Sequence, residues 1–187
     1  PGSSITLKIE RPGTTEPMVK KVIREEVKIK DVPYYAMMKD SVGYIKLTGF
    51  TESASKEVKT ALVSLKEQHA TSIVLDLRGN GGGLLNEAVN IVNFFVPKGS
   101  EVVFTKGKIK EWDKTYKALN EPIDTKIPLV VLIDEGSASA SEIVSGSLQD
   151  HDRAVVVGTQ SYGKGLVQSV RPLSYNSKLK VTVAKYY

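Results

Sequence analysis

The sequence predicts an α/β fold, with helices layered on a mainly parallel sheet. Two observations carry this expectation. Short apolar runs suited to buried strands ("SIVLDLR", "IPLVVLID", "RAVVVG") alternate with stretches whose apolar residues recur at helical spacing. Each of the first two runs also ends in a small-residue loop that leads into a helix, as strand–helix–strand layering requires. At 187 residues, 41% hydrophobic and 25% charged, the chain can bury a core of one ordinary domain without staples.

Taken in order, "SSITLKIERPG" alternates Ile5, Leu7 and Ile9 and stops at Pro12-Gly13, a strand pattern. "MVKKVIREEVKI" and "VGYIKLTGF" are two further strands, the second preceded by a polar turn at Lys39 to Ser41. In "SASKEVKTALVSLKEQHA" the period changes, and Val58, Ala61, Leu62 and Leu65 mark one face of a helix. His69 falls on that stripe and is expected to pack at the helix end. "SIVLDLR" is a buried parallel strand. It breaks at "GNGGG", and "LLNEAVNIVNFFV" follows as a helix with Leu85, Ala88, Val89 and Val92 inward. "EVVFT" reads as an edge strand, and "KGKIKEWDKTYKALNEPIDTK" as a polar excursion or flap. "IPLVVLID" is the second buried strand, and "EGSASASEIVSGSLQD" turns into a helix. "RAVVVG" is the third buried strand, and "LVQSVRPL" and "LKVTVAKYY" are the last two strands.

Composition removes several chemistries. There is no cysteine, hence no disulfide, thiol nucleophile or zinc–thiolate cluster, and two histidines argue against a His-rich metal site. The net charge of +5 comes from lysines interleaved with acids, without a dense basic tract, which argues against nucleic acid. No apolar run approaches the roughly 20 residues of a membrane-spanning helix. The opening "PGSSITLKIERPG" reads as the middle of a longer chain, so an excised fragment is expected.

Lys164, in "AVVVGTQSYGKGLVQ", follows a strand and has most of a phosphate-binding loop around it. Such a loop needs Ser or Thr after the lysine and then a helix. Here Gly165 follows, and the β-branched, Pro-containing "LVQSVRPL" is a strand. Ser161-x-x-Lys164 matches the penicillin-recognising pattern, but glycines at 163 and 165 oppose the helical turn that chemistry needs. Lys164 as general base for a serine elsewhere fits better. The flanking glycines allow close approach, and Lys164, Leu166 and Gln168 share a face if extended. Gln168 then holds the amine without charging it. A lysine base must be neutral, and lowering its pKa from near 10.4 by about three units requires burial worth about 4 kcal/mol.

Serines concentrate in "DEGSASASEI", at a strand-to-helix turn where free backbone N–H groups converge. Ser139 sits there, and the N–H of the following residue can help stabilise an oxyanion. Ser139-x-x-Glu142 is also a capping box, so a purely structural Ser139 stays open, as do Ser137 and Ser141. "DLRGNGGG" lacks the third glycine of a dinucleotide loop, since position 84 is leucine, but its glycines expose N–H groups. Asp76 and Arg78 form an internal pair bracing that loop.

"DLRGNGGG", "GSASASE" and "GKGLVQ", in this order and at roughly this separation, resemble the carboxyl-terminal processing (tail-specific) serine proteases, from about Val42 to the end. The resemblance implies a Ser/Lys dyad with Ser139 as nucleophile, Lys164 as base and Gln168 as the orienting amide. It implies an oxyanion hole from the N–H groups of Ala140 and a glycine of the loop, taken as Gly82. It also implies a ClpP/crotonase-like protease core, cleavage of protein substrates near their C-termini, no metal or organic cofactor, and no nucleic-acid partner. Residues 1–13 resemble the trailing strand of a truncated PDZ domain, leaving 14–187 as a C-terminally truncated protease core. The resemblance places such proteins in the bacterial cell envelope or in plastids, and a homo-oligomer built through missing regions is a separate expectation. Three alternatives stay open: a non-catalytic peptide-binding relative, a crotonase-like acyl-thioester enzyme in which Ser139 only caps a helix, and a Ser/His enzyme using His151, which is otherwise a helix-end surface residue.

Overall fold

The computed structural model describes residues 1–27 and 29–187. Among the described residues eleven strands form three sheets. β1 (Ser4–Ile9) and β2 (Met18–Ile23) make an antiparallel hairpin, its turn at Pro12-Gly13. β2 ends at Ile23, although the strand pattern of the sequence runs on to Ile29, and its Lys28 lies outside the described residues.

The central sheet has five strands. β3 (Tyr34–Met37), β4 (Val42–Lys46), β5 (Ser72–Asp76), β8 (Leu129–Ile133) and β9 (Val155–Gly158) lie side by side in that order. β3 is antiparallel to β4, and the other three pairings are parallel. Parallel strands need long crossovers. Here α1 (Ala54–Glu67) joins β4 to β5, α2 (Leu85–Asn93) follows β5, and α3 (Ala140–Asp150) joins β8 to β9. The helices form as their sequence period dictates: Val58, Ala61, Leu62 and Leu65 of α1 are fully buried, as are Ala88, Ile91 and Val92 of α2 and Val144 and Leu148 of α3. They share one core with Ile45, Leu47, Ile73, Leu75, Leu77 and Val131 of the sheet. α1 lies so close to β4 that a Cβ on Gly43 would sit 2.7 Å from Ile73 Cδ1 and 3.3 Å from Leu65 Cβ. Glu87 of α2 caps α1 from outside, accepting the Ser55 N–H at 2.7 Å.

A second, antiparallel sheet orders β10 (Leu166–Pro172), β11 (Lys178–Tyr186), β6 (Glu101–Gly107) and β7 (Lys114–Lys117). Among the named strands, parallel pairing is therefore confined to the five-stranded sheet, with one isolated parallel bridge between Phe50 and Gly83.

Several elements depart from expectation. β6 is interior to its sheet, because β7 and β11 flank it, so "EVVFT" is not an edge. β9 is the edge instead, and Val155 and Val157 of "RAVVVG" are exposed where two covered faces were expected. The polar excursion after β6 is fastened: it contributes β7, buries Ala118, and exchanges hydrogen bonds between the Asn120 backbone and the Asn93 side chain. β3 had no sequence signature beyond a pair of tyrosines. His69 does not pack on the α1 stripe. It is exposed at φ 66°, in the left-handed conformation that ends the helix, with its N–H on Lys66 O. His151 is at the surface end of α3, its Nε2 2.7 Å from Glu101 O.

Candidate active site

Ligands in open parallel sheets gather at the carboxyl ends of the strands. β5 ends at Asp76 and β8 at Ile133, and the two loops that follow are built into each other. The Asp134 carboxylate accepts the N–H of Gly79 at 2.7 Å and of Gly136 at 3.0 Å, bonds that hold its pKa below the ordinary range. Gly136 packs so tightly there that a Cβ would lie 2.9 Å from Gly79 Cα. Asn80, fully buried, anchors the glycine loop by donating to Leu47 O at 2.9 Å, while its own carbonyl accepts Ala138 N–H (3.0 Å) and Ser141 Oγ–H (2.8 Å). Beneath the loop, Asp76 and Arg78 make the expected brace, bidentate at 3.0 and 2.7 Å, with Lys46 3.2 Å from the same carboxylate. Burial alone would raise the Asp76 pKa, but Arg78, Tyr44 and Lys46 together hold it well below the carboxylate range.

This scaffold separates the three serines of the turn. Ser137 is buried and donates to Leu77 O at 2.9 Å. Ser141 is buried on Asn80 O. Ser139 lines a cavity of about 410 Å³, in which its hydroxyl lies 3.1 Å from the Tyr186 hydroxyl. The Ser139 backbone has φ 59° and ψ −111°, a region that non-glycine residues seldom occupy and that lifts the side chain out of the turn. Burial raises the Tyr186 pKa, with the Glu142 charge adding to it.

The same cavity is lined by Gly82, Ala140, Lys164 and Gln168, so all five site residues expected from sequence meet there. Ala140 is the first residue of α3, where backbone N–H groups have no intrahelical partner. The Gly82 N–H donates to Asn80 Oδ1 at 2.9 Å. Gly82 has φ +92°, and a Cβ on it would fall 2.6 Å from Ala138 O and 2.8 Å from Ser139 Cβ. Lys164 is half-buried, and Gln168 is exposed beside a β-bulge at Val167/Gln168, a device that re-aims side chains near sites. Among the described residues, the side-chain partner of the Ser139 hydroxyl is Tyr186 and not the Lys164 amine.

Lys164 reaches the cavity through Glu142. One carboxylate oxygen accepts Ser139 N–H (2.8 Å) and Lys164 N–H (3.1 Å), and the other accepts Ser161 Oγ–H (2.9 Å) and Gly163 N–H (2.6 Å). Burial opposes ionisation of Glu142, yet these four donors outweigh it and lower its pKa. Sequence identified Glu142 only as half of a capping box. It missed Asn80 and Asp134 as loop anchors and Tyr186 altogether. The glycines around Asn80 were the available signal for the first; nothing near Tyr186 marks it.

Residues 41–187 match peptidase family S41. The carboxy-terminal-processing protease of Bartonella bacilliformis is 41% identical over 190 residues, covering 100% of this chain and 43% of that protein. The carboxyl-terminal-processing protease of Synechocystis sp. is 41% identical over 189 residues, covering 98% of this chain and 43% of that protein. The solved photosystem II D1 C-terminal processing protease aligns with a TM-score of 0.74 at 31% identity, covering 100% of this chain and 51% of that one. The mature CPAF structure, at 13% identity and a TM-score of 0.61, shares the fold. The chain thus spans less than half the length of the two curated relatives. With the glycine loop, the serine turn and the loop that carries Lys164 joined around one cavity, and with this match over most of its length, the chain belongs to peptidase family S41.

Proposed function

We propose that the chain is the core of a serine endopeptidase that cleaves proteins near their C-termini, with Ser139 as nucleophile and Lys164 as general base. The observation that carries this is the sorting of the serines. Only Ser139 of the three presents its hydroxyl to the cavity that also holds Lys164 and Gln168. In the reaction Ser139 Oγ bonds to the scissile carbonyl carbon while its proton passes to the Lys164 amine. The Ala140 N–H, at a helix N-terminus, stabilises the oxyanion. Gly82 contributes if its N–H releases Asn80. Lys164 returns the proton to the leaving amine, and a water activated by the same amine hydrolyses the acyl-enzyme. Gln168 orients the amine. For this chemistry the Ser139 hydroxyl must exchange its contact with Tyr186 for one with Lys164, which lines the same cavity.

The helices on the parallel sheet fit a ClpP/crotonase-like layering. The hairpin gathers Ile5, Leu7, Ile9, Met18 and Val22 on one face, in keeping with residues 1–13 as the trailing strand of a PDZ domain and 14–187 as the protease core. β1 pairs with β2 across that boundary, so the hairpin is the unit to which the preceding domain would join. Among the described residues no helix is long and apolar enough to cross a membrane. We place the protein in the bacterial cell envelope, acting on protein tails.

Ser139→Ala and Lys164→Ala in the full-length protein test this reading. Each should abolish cleavage of an unfolded substrate, and Ser139→Ala should also abolish labelling by a fluorophosphonate. Wild-type rates from either variant would remove the mechanism.

A further inference from the structure

Tyr186 has no part in the steps above, yet its hydroxyl lies 3.1 Å from that of Ser139. Its backbone is held from both sides. β11 runs between β10 and β6, the Tyr186 N–H donates to Gly165 O at 3.2 Å, and Tyr186 pairs with Thr105 of β6. It lines the cavity together with Ser139, Ala140 and Lys164. A phenol fixed in this way beside a reacting oxygen is a preorganised hydrogen-bond donor.

Gly82 supplies an independent observation. Its N–H, the glycine loop's expected donor to an oxyanion, is occupied by Asn80 Oδ1 at 2.9 Å. Asn80 is fully buried, and among the described residues that oxygen has no other donor. Withdrawing the Gly82 N–H would strand a buried acceptor, which is costly. Tyr186 carries no such cost. Among the described residues its hydroxyl bonds to Ser139, and that bond is given up when Ser139 passes its proton to Lys164. The phenol O–H is therefore free as the oxyanion forms.

We propose that the Tyr186 hydroxyl is the second donor of the oxyanion hole, acting with the Ala140 N–H on the tetrahedral intermediate. The proposal rests on the serine-peptidase reading of Ser139. In that intermediate the oxyanion and Ser139 Oγ are bonded to one carbon, so a hydroxyl 3.1 Å from Oγ is also within reach of the oxyanion. The phenol donates a hydrogen bond and keeps its proton. Burial and the Glu142 charge, which raise its pKa, favour that protonated form.

Tyr186→Phe in the full-length protein tests the assignment, because it removes the hydroxyl and keeps the ring. The kcat should fall about a hundredfold while KM changes by less than about twofold. A peptide boronic acid, whose adduct with Ser139 is tetrahedral and anionic, should lose affinity by a similar factor. The same peptide ending in an amide, titrated on Ser139→Ala by fluorescence anisotropy, should bind equally well with and without Tyr186→Phe. Weaker binding of that amide would mean a structural role and overturn the assignment. A fall in kcat of less than about tenfold would overturn it too, leaving the second donor to Gly82. A rise in kcat would do the same and make Tyr186 a restraint on the nucleophile. All three results leave cleavage by Ser139 standing. A wild-type protein that neither cleaves an unfolded substrate nor binds the boronic acid removes the peptidase reading, and the assignment with it.

Discussion

Glu142 binds Lys164 through its backbone, with the Lys164 N–H 3.1 Å from the carboxylate oxygen that also receives the N–H of Ser139. The proposed nucleophile and base, 25 positions apart, are thus hung from one oxygen atom. The other oxygen holds Ser161 and Gly163, so the segment leading to Lys164 is fixed at three points to the first turn of α3. Among the described residues no ion pair holds the Lys164 amine, which would stabilise the charged form that the proposed general base cannot use.

Glu142→Gln should therefore cost both stability and activity. Both oxygens accept, so an amide must point its NH₂ group at one pair of donors and leave them without an acceptor. That costs about 1–3 kcal/mol, readable as a lowered urea midpoint with an unchanged slope. Cleavage should fall at least tenfold on the order of such losses. Full activity at reduced stability would show that the clamp does not position the base.

Gly82→Ala tests the closeness of the two loops. The new methyl would lie 2.6 Å from Ala138 O and 2.9 Å from Ala140 N, both backbone atoms, at a φ of +92° that alanine rarely adopts. Neither contact can be relieved by a rotamer change. A loss of about 2 kcal/mol or more is expected, with fluorophosphonate labelling of Ser139 slowed because the serine turn must move. Unchanged melting and labelling would contradict the packing described here.

Periodicity was sufficient for the three helices and for β5 and β8, because each has a covered face that forces a regular apolar pattern. It misjudged β6 and β9, because edge or interior status depends on which strand arrives from far along the chain. β6 is enclosed by β11, some 75 positions later, and no local signal in "EVVFT" announces that. The site divides the same way. Gly82, Ser139 and Lys164 stand in small-residue settings that serve close backbone approach and so leave a local trace. Tyr186 meets Ser139 from 47 positions away, as one more alternating residue of β11, and Asn80 is one polar residue among glycines. Its burial is a property of the assembled loops.

The backbone at Ser139 predicts an unusual order of stabilities. Its φ of 59° and ψ of −111° are accessible to glycine at little cost and to other residues at about 1–3 kcal/mol. Ser139→Gly and Ser139→Ala should both be inactive, but the glycine variant should be the more stable. After the extra freedom glycine has when unfolded, the net gain is about 1 kcal/mol, or about 2–4 °C in Tm by calorimetry. An alanine variant that melts above the glycine variant would mean the turn relaxes and stores no strain.

Acid should expose the tie between α1 and the strand that precedes the serine turn. Asp124 pairs with Lys66 and accepts the N–H groups of Lys126 and Ile127, each at 2.8 Å, just before β8 begins. Burial alone would raise its pKa, but Lys66 and the two N–H groups bring it down from 3.8 to about 2. A folded-state pKa below the unfolded one means that the carboxylate stabilises the fold above pH 4, and that this contribution fades as pH falls toward 2. Arg153 reinforces the same corner, donating to the carbonyls of Asp124, Ile127 and Phe95. Asp124→Asn should accordingly melt below wild type at pH 7, and the gap should close between pH 4 and pH 2. Asp76, Asp134 and Glu142 also titrate low, so both proteins lose stability in acid, and only the difference between them reports on Asp124. A gap that stays constant down to pH 2 would mean that the Asp124 charge contributes nothing to holding this corner together.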